Sequence, residues 1–453
     1  MNQYITLPVL LLSVLLFLQC GNFEKDEIDA DFYANEVKKE FLYAWNGYKE
    51  HAWGYDGLRP QSNTGYNWYD ETLYLSAVEA LSTMYILGLD EEFRHTTEFI
   101  FSRLSFDKDI YVKNFEITIR LLGGLISAYQ LSGEKGFLTL AEDLASRLLP
   151  VFETPTGMPY VYVNLKTGAV RGTESNPAEI GTLLVEFGAL SKLTGNRVYY
   201  DKAKKALVEL YKRRSPPGLV GTKIDVITGD WLDTRSHIGA AIDSYYEYLL
   251  KSWLLFGDEE CLMMWEESIA AINTYLADER ENGFWYGHAD MYTGERVRTW
   301  YGALDAFFGG VLVIHGDLER ARRLQDSGYY VWTKFRLQPE QFDYETETIA
   351  SHPYYLNPEL IESAYYLYNA TGDPLYRRMG VTFLNSLRDY CKIGSGFADV
   401  MNLDTKELSD RMESYFLAET LKYLYLLFSD AALLDLKHVV FTTEAHPIQK
   451  TWK

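Results

Sequence analysis

Glycine residues interrupt the helical runs of this chain at regular intervals. At six places a helical run ends in Gly, and at a seventh in Ser, and an acidic or polar residue follows within two positions. Gly just past a helix adopts the left-handed conformation at little cost, and Asp or Asn then caps the next helix. The junctions are Gly88, Gly133, Gly195, Gly257, Gly316, Gly372 and Ser429. They lie about 60 residues apart, which predicts a helical hairpin repeated about seven times.

The two helices of each hairpin differ in character. Runs before the junctions, such as residues 121–129 and 421–428, are apolar nearly all round, as in helices buried on every side. Runs after them, such as residues 200–207, carry one apolar stripe. This alternation predicts a closed two-layer ring with an inner and an outer set of helices. An open superhelical solenoid is the alternative.

Composition favours one domain and excludes some partners. The chain of 453 residues is 47% hydrophobic, and neither a linker nor a charge block interrupts the hairpins. Its net charge of −21 argues against nucleic acid and anionic membrane surfaces. Only Cys261 and Cys391 lie beyond the N-terminal region, and one possible pair does not make a disulfide framework.

The N-terminal region is typical of an export signal. Residues 5–18 form a largely apolar run that is short for a membrane span. It leads into Leu-Phe-Leu-Gln-Cys-Gly at residues 16–21, which resembles a bacterial lipobox with Cys20 as the lipidated residue. We therefore expect a signal peptide over 1–19, a polar tether over 20–30 and one domain over 31–453. The protein would be anchored by lipid to the bacterial cell envelope, with the outer membrane favoured. The alternative is an ordinary signal peptide with an incidental Cys.

Four hairpins carry a carboxylate near the start of the first helix: Glu116, Asp243, Glu359 and Glu419. If these helices form the inner ring, they run parallel and their starts converge at one end. The helix dipole alone favours acids there by up to ~1 kcal/mol, which is the simpler explanation. Four acids on the apolar helices favour a shared cavity instead.

Paired carboxylates across a sugar-sized cavity suit glycoside hydrolysis, in which one protonates the leaving oxygen and the other activates water. Glu359 and Glu362 share a helical face. Further acids could hold a hard cation. The sequence contains no Gly-rich phosphate loop, no zinc-ligand spacing and no nucleophile elbow.

Long motifs in this order resemble glycoside hydrolase family 47, the class I α-mannosidases, and within it the endoplasmic-reticulum degradation-enhancing mannosidase-like branch. The matching segments are residues 114–125, 142–150, 181–187, 242–249, 357–363, 411–420 and 441–447. The resemblance implies an all-α (α/α)7 barrel. A short β-prone run at residues 439–443 would fold back into its mouth as a C-terminal plug.

The resemblance also implies calcium-dependent, inverting removal of terminal α-linked mannose, usually α-1,2, from mannose-rich glycans. Glu116 would be the general acid, directly or through water, and Asp243 a second acid that shares proton transfer. Glu359 would be the base that activates water. Thr443 would bind Ca²⁺, although without the resemblance it reads as an ordinary strand residue. Water and sugar would be oriented by Arg120, Glu362, Tyr415, Glu419 and Glu444.

Three positions depart from the family pattern. Ala241 stands where many members have Arg, Asn357 replaces the Arg of Arg-Pro-Glu, and Ala303 replaces the His of a His-Leu motif. The first and third losses resemble the degradation-enhancing branch, whereas Asn357 departs from that branch too. The alternative function is therefore a catalytically weak mannose-binding module on the same barrel.

Overall fold

The computed structural model describes residues 28–452, so Cys20 and the predicted signal peptide lie outside the described residues. Helices dominate the described chain. The α-helices are α1 (Ala30–His51), α2 (Leu75–Glu79), α3 (Leu81–Ile86), α4 (Asp90–Arg103), α5 (Asn114–Ile117), α6 (Gly123–Ser132), α7 (Lys135–Leu148), α8 (Pro177–Gly181), α9 (Leu184–Thr194), α10 (Arg197–Tyr211), α11 (Asp243–Phe256), α12 (Glu259–Tyr275), α13 (Phe308–His315), α14 (Leu318–Phe335), α15 (Glu359–Thr371), α16 (Pro374–Tyr390) and α17 (Leu421–Phe428).

These helices form two concentric rings, so the predicted (α/α)7 barrel is confirmed. The inner ring consists of α3, α6, α9, α11, α13, α15 and α17, several of them preceded by a short helical turn. The outer ring consists of α4, α7, α10, α12, α14, α16 and α1. Inner helices such as α9 and α11 are buried along most of their length, whereas α7 and α16 bury one stripe. The two sequence patterns correspond to the two layers.

The junctions have the predicted backbone geometry. All six glycines have positive φ, between 62° at Gly88 and 99° at Gly316. Four of the helices that follow are capped as predicted: side-chain oxygens accept backbone N–H groups at Asn196, Asp258, Asp317 and Asp373. Asp90 is instead the first residue of α4 and makes no such cap. Each inner helix therefore reverses sharply into its outer partner.

The seventh junction differs from the prediction. Ser429 has φ −79° and ψ 168°, which is extended backbone, and the chain continues into a short 3₁₀ turn rather than an outer helix. The partner of α17 is α1, from the start of the domain, and Tyr33 stacks on Phe428 with ring centroids 5.2 Å apart. The ring is therefore closed by its two chain ends. Spacing along the sequence could not reveal a partner nearly 400 residues away.

Short antiparallel strands lie in the connections from each outer helix to the next inner helix. They lie at one end of the barrel, which we call the mouth. The opposite end, which carries the glycine junctions, is called the junction face. The strands are β1 (Gly57–Arg59), β2 (Thr64–Tyr66), β3 (Tyr111–Lys113), β4 (Tyr162–Asn164), β5 (Val170–Arg171), β6 (Glu174–Ser175), β7 (Lys223–Asp225), β8 (Trp231–Asp233), β9 (Arg235–Ser236), β10 (Ala277–Arg280), β11 (Gly283–Tyr286), β12 (His288–Asp290), β13 (Arg296–Arg298), β14 (Trp300–Gly302), β15 (Gln341–Asp343), β16 (Thr348–Ser351), β17 (Lys392–Ile393), β18 (Gly396–Phe397), β19 (Val400–Asn402) and β20 (Glu407–Leu408).

The last two strands form a plug, as predicted, but the expectation that it folds back into the mouth is wrong. The hairpin enters the ring from the junction face, because α17 ends there. β21 (Val439–Phe441) pairs antiparallel with β22 (Pro447–Gln449), and Phe441 stands opposite Pro447. The turn between them, residues 442–446, lies inside the inner ring and is called the plug tip. Ser127 of α6 donates to the Pro447 carbonyl at 2.9 Å, which fixes the hairpin to the wall. The plug closes the barrel from the junction face.

Two further expectations concern cysteines and membranes. Cys261 and Cys391 are both free and buried, so no disulfide forms between them. Within residues 28–452, no helix combines the length and the apolar character that crossing a bilayer requires.

Because α1 closes the ring, its buried face should be essential for stability. Phe41 is fully buried, so Phe41→Ala should lower the free energy of unfolding by about 3–5 kcal/mol, through lost apolar contact and a residual cavity. Urea unfolding followed by circular dichroism measures this. The matched control is Glu50→Ala on the same helix, whose side chain is 76% exposed and whose change should stay within about 0.5 kcal/mol. Equal effects would mean that α1 does not close the core.

Candidate active site

A cavity of about 470 Å³ opens at the mouth and ends at the plug tip. All nine residues predicted for catalysis, substrate binding and metal binding line it, although they come from five separate parts of the chain. These residues are Glu116, Arg120, Asp243, Glu359, Glu362, Tyr415, Glu419, Thr443 and Glu444. The structure therefore brings the predicted set together, while the chemical role of each residue stays a prediction.

Acids at the first residues of inner helices lie at the mouth, because these helices begin at that end of the barrel. Asp243 is the first residue of α11 and Glu359 the first of α15, where the helix dipole favours a negative charge. Arg120 and Glu419 instead lie in two π-helical turns, Thr118–Leu122 and Phe416–Thr420. Such turns shift a side chain relative to regular helical spacing and are frequent at functional sites.

Three of the eight non-glycine residues with positive φ in the described chain lie beside this cavity. Ala241 has φ +77° two residues before Asp243, and Leu356 has φ +61° three residues before Glu359. Ala445, directly after Glu444, has φ +52°. A left-handed non-glycine residue costs about 1–2 kcal/mol and persists only where its surroundings hold it. The Leu356 carbonyl, for example, accepts a 2.7 Å hydrogen bond from the Thr420 hydroxyl.

Glu359 has the least satisfied carboxyl group among the predicted catalytic residues. Its Oε2 is buried and has no hydrogen-bond partner within the described chain. Burial, followed by the negative charge of nearby Glu362, raises the pKa of Glu359 well above its usual range. An oxygen in this state is available to a water molecule or a ligand in the cavity.

Asp243 is stabilised differently. Its Oδ1 accepts the backbone N–H of Ser244 at 2.7 Å and the Ser244 hydroxyl at 3.2 Å. Burial, together with the negative charges of Glu247 and Glu116, raises the pKa of Asp243 to about 7, although the Ser244 bonds act to lower it. A carboxyl group with that pKa exchanges protons near neutral pH.

Arg120 connects three carboxylates from three elements. Its guanidinium donates to Glu116 at 3.0 Å, Glu79 at 3.2 Å and Glu444 at 2.8 Å. It also lies against the ring of Tyr415, 5.6 Å from the centroid. Arg120 thus fixes Glu116 at the cavity wall and ties the plug tip to the inner ring.

Three further acids lie at the plug tip: Glu362 and Glu419 of the inner ring and Glu444 of the tip itself. Burial raises the pKa of Glu362 to about 8, and burial also raises the pKa of Glu419 and of Glu444, whose carboxyl groups neighbour each other. Tyr423 donates a 3.0 Å hydrogen bond to Glu362. Several acids so close together leave an excess of negative charge that a bound cation would relieve.

Thr443 has the donor atoms for such a cation. Its backbone N–H donates to the Tyr248 hydroxyl at 3.2 Å, but within residues 28–452 neither its hydroxyl nor its carbonyl has a hydrogen-bond partner. No group of three or more His, Cys, Asp or Glu in the described chain is arranged as metal ligands. A hard cation that takes hydroxyl, carbonyl and water oxygens does not need such a group, so the residues present fit Ca²⁺.

Sequence reasoning missed several residues of this site. Glu79 of α2 is fully buried, accepts from Ser414 at 2.9 Å and has a pKa raised by burial to about 8. Glu340 lines the cavity, and burial raises its pKa to about 7. Lys113 and Glu179, an ion pair at 2.6 Å, also line the wall. Glu79 belongs to an apolar helical run, as the other acids do, although it lies at the end of that run. Glu340 lies in a connection between helices, where no pattern in the sequence indicated a site residue.

Two of the three departures from the family pattern lie at this cavity. Ala241 and Asn357 both line it, and Leu304 lines it next to the buried Ala303. Asn357 Oδ1 accepts the backbone N–H of Tyr355 at 3.1 Å, so this side chain shapes the loop that leads to Glu359.

Comparison with known proteins agrees with the geometry. The ER degradation-enhancing alpha-mannosidase-like protein 2 of Homo sapiens is 39% identical over 457 residues, which cover 93% of this chain and 78% of that protein. The mannosyl-oligosaccharide 1,2-alpha-mannosidase IB of Homo sapiens is 36% identical, covering 98% of this chain and 73% of that protein. The solved alpha-1,2-mannosidase from Trichoderma reesei superposes with a TM-score of 0.86 at 27% identity, covering 93% of this chain and 99% of that one.

The family model of glycosyl hydrolase family 47 matches residues 40–450, which is nearly the whole described chain. A match of that extent, together with the two-ring barrel, assigns the fold to one protein family. The chain belongs to glycosyl hydrolase family 47.

Proposed function

We propose that this protein is a calcium-dependent, inverting exo-α-mannosidase that removes terminal α-1,2-linked mannose from mannose-rich glycans. The observation that carries the proposal is the buried, unpartnered Oε2 of Glu359 in a cavity that also contains Glu116 and Asp243. Mannosidase activity in the relatives supports the substrate class.

The proton for the leaving oxygen would come from the side of the cavity that holds Asp243 and Glu116. The pKa of about 7 lets Asp243 carry a proton at neutral pH and release it during the reaction. Glu116 is held by Arg120, so its carboxylate is fixed in position and can pass or accept a proton through water.

Glu359 would remove a proton from the attacking water. Glu116, Asp243 and Glu359 line one cavity of about 470 Å³, which has room for a sugar and a water. Attack by water opposite to the leaving group inverts the anomeric carbon, and inverting enzymes hold their two carboxyl groups about 6.5–9.5 Å apart for this reason.

The proposed Ca²⁺ would be held by the hydroxyl and carbonyl oxygens of Thr443, with water molecules oriented by Glu362, Glu419 and Glu444. When bound, the cation supplies positive charge that orders water and favours the ionised form of the surrounding carboxyl groups. Burial and mutual repulsion raise the pKa of these carboxyl groups in its absence.

The closed floor of the cavity supports exo action. Within the described residues the plug tip forms the floor of the cavity, so we expect a glycan to enter from the mouth with a chain end first. Phe115, Phe307 and Tyr355 line the wall and suit the apolar faces of a sugar.

The proposed lipid anchor at Cys20 is compatible with this direction of entry. α1 begins at Ala30 beside Phe428, on the junction face, whereas the cavity opens at the mouth. Eight residues separate Cys20 from Asp29, and this connection spans at most about 30 Å when extended. An anchored molecule would therefore turn its mouth away from the membrane.

Incubation of the purified protein with α-1,2-mannobiose tests the activity directly. We expect NMR to detect β-mannose as the first product, and EDTA to abolish its release until Ca²⁺ is restored. Release of α-mannose would overturn the inverting assignment. Tight sugar binding without turnover would instead favour the alternative function, a catalytically weak mannose-binding module, to which the departure at Asn357 points.

Glu359→Gln tests the base. The amide keeps the shape of the side chain but cannot accept the proton of water, so kcat should fall by roughly 10²–10⁴. Calcium and mannose binding, measured by calorimetry, should stay largely intact. Full activity in this variant would show that another group activates the water.

Asp243 predicts a specific pH dependence. A general acid must be protonated, and a pKa raised to about 7 keeps Asp243 protonated at pH 6 but not at pH 8. The value of kcat/KM should therefore fall as pH rises through about 7. In Asp243→Asn the residual rate should lose this alkaline limb, and a limb that survives the substitution would belong to a different group.

A further inference from the structure

Two buried lysines on different inner helices reach the plug tip. Lys422 of α17 donates from Nζ to the Ala445 carbonyl at 2.6 Å. Lys251 of α11 lies 3.5 Å from the Thr442 carbonyl and is also paired with Glu247. The two lysines thus hold the backbone on either side of Thr443 and Glu444.

Lys422 is unusual because it is a buried lysine without an ion-pair partner within the described chain. It is fully buried, yet within the described chain no carboxylate oxygen lies within ion-pair distance and its one hydrogen bond is to the Ala445 carbonyl. Buried lysines are rare and are normally paired with acids. A plain stabilising ion pair therefore does not account for its position.

The residue that Lys422 holds is strained. Ala445 has φ +52°, a conformation that L-residues adopt only when neighbouring contacts impose it. Its backbone N–H donates to the Thr442 carbonyl at 3.2 Å, so the tip is a tight turn. This turn places Thr443 at the cavity wall, and within residues 28–452 neither its hydroxyl nor its carbonyl has a hydrogen-bond partner.

We infer that Lys422, assisted by Lys251, is a positioning residue for the cation site at Thr443. Lys422 acts through the Ala445 carbonyl, by holding the plug tip in the turn that directs the Thr443 oxygens into the cavity. The inference rests on the calcium site of the proposed function.

Calorimetric titration of Ca²⁺ into the metal-free full chain tests this role. Lys422→Met should weaken Ca²⁺ affinity by roughly 10–100-fold, as expected when an outer contact of a metal ligand is lost. If the substitution acted only through charge, Ca²⁺ affinity would change in the opposite direction. Removal of the positive charge of Lys422 next to the site should tighten Ca²⁺ binding.

Ser127→Ala is the matched control. It removes the 2.9 Å bond to Pro447, so it loosens the same hairpin outside the tip. We expect it to lower the melting temperature without changing Ca²⁺ affinity. If Lys422→Met binds Ca²⁺ as tightly as the parent protein, or if Ser127→Ala loses as much affinity, the positioning role is wrong.

Two further measurements keep the test decisive. If Lys422→Met does not fold, Lys422→Gln replaces it. Gln keeps a polar group, but its side chain is one bond shorter than that of Lys and does not reach Ala445. We expect the same loss of Ca²⁺ affinity. Lys422→Met/Ala445→Gly should regain part of the affinity, since Gly adopts positive φ without support. Absence of Ca²⁺ binding in the parent protein would overturn the proposed calcium site itself, which distinguishes that failure from a failure of the lysine role.

Discussion

The interior of this barrel depends on the ion pairs that Arg120 makes with three buried or partly buried carboxylates. Arg120 sits among Glu79, Glu116 and Glu444, in a ring interior where burial alone would keep carboxyl groups neutral. A buried charge is tolerated only when it is paired and hydrogen-bonded, and Arg120 offers a planar fork that satisfies several acids at once. Through it the inner wall, the cavity and the C-terminal hairpin form one electrostatic unit.

The same arrangement explains why so many acids can share one cavity. Lys251 and Lys422 are the only other buried Arg or Lys residues within the described chain, and both reach the plug tip rather than the catalytic acids. Glu359 and Asp243 therefore keep raised pKa values, which leaves their protonation responsive to a ligand. Strained residues such as Ala241 lie beside these acids, as expected where function rather than stability sets the backbone.

Local signals in the sequence predicted the hairpins, because Gly133 or Gly257 acts through the geometry of a few neighbouring residues. The convergence of Glu116, Asp243 and Glu359 followed from the parallel direction of inner helices. What could not be predicted depends on contacts between distant parts of the chain. The pairing of α1 with α17 is one case, and the bond from Lys422 to Ala445 is another. The π-helical turn at Arg120 was also missed, since regular helix and π turn share the same residue preferences.

The closure of the ring by its chain ends has a practical consequence. Tyr33 stacks on Phe428, and Trp452 stacks on Phe256, so both ends of the described chain lie on the junction face. A fusion partner, affinity tag or solid support joined at either end would sit behind the barrel. Immobilised preparations should accordingly leave the entrance open to bulky glycoproteins, whichever end is used for attachment.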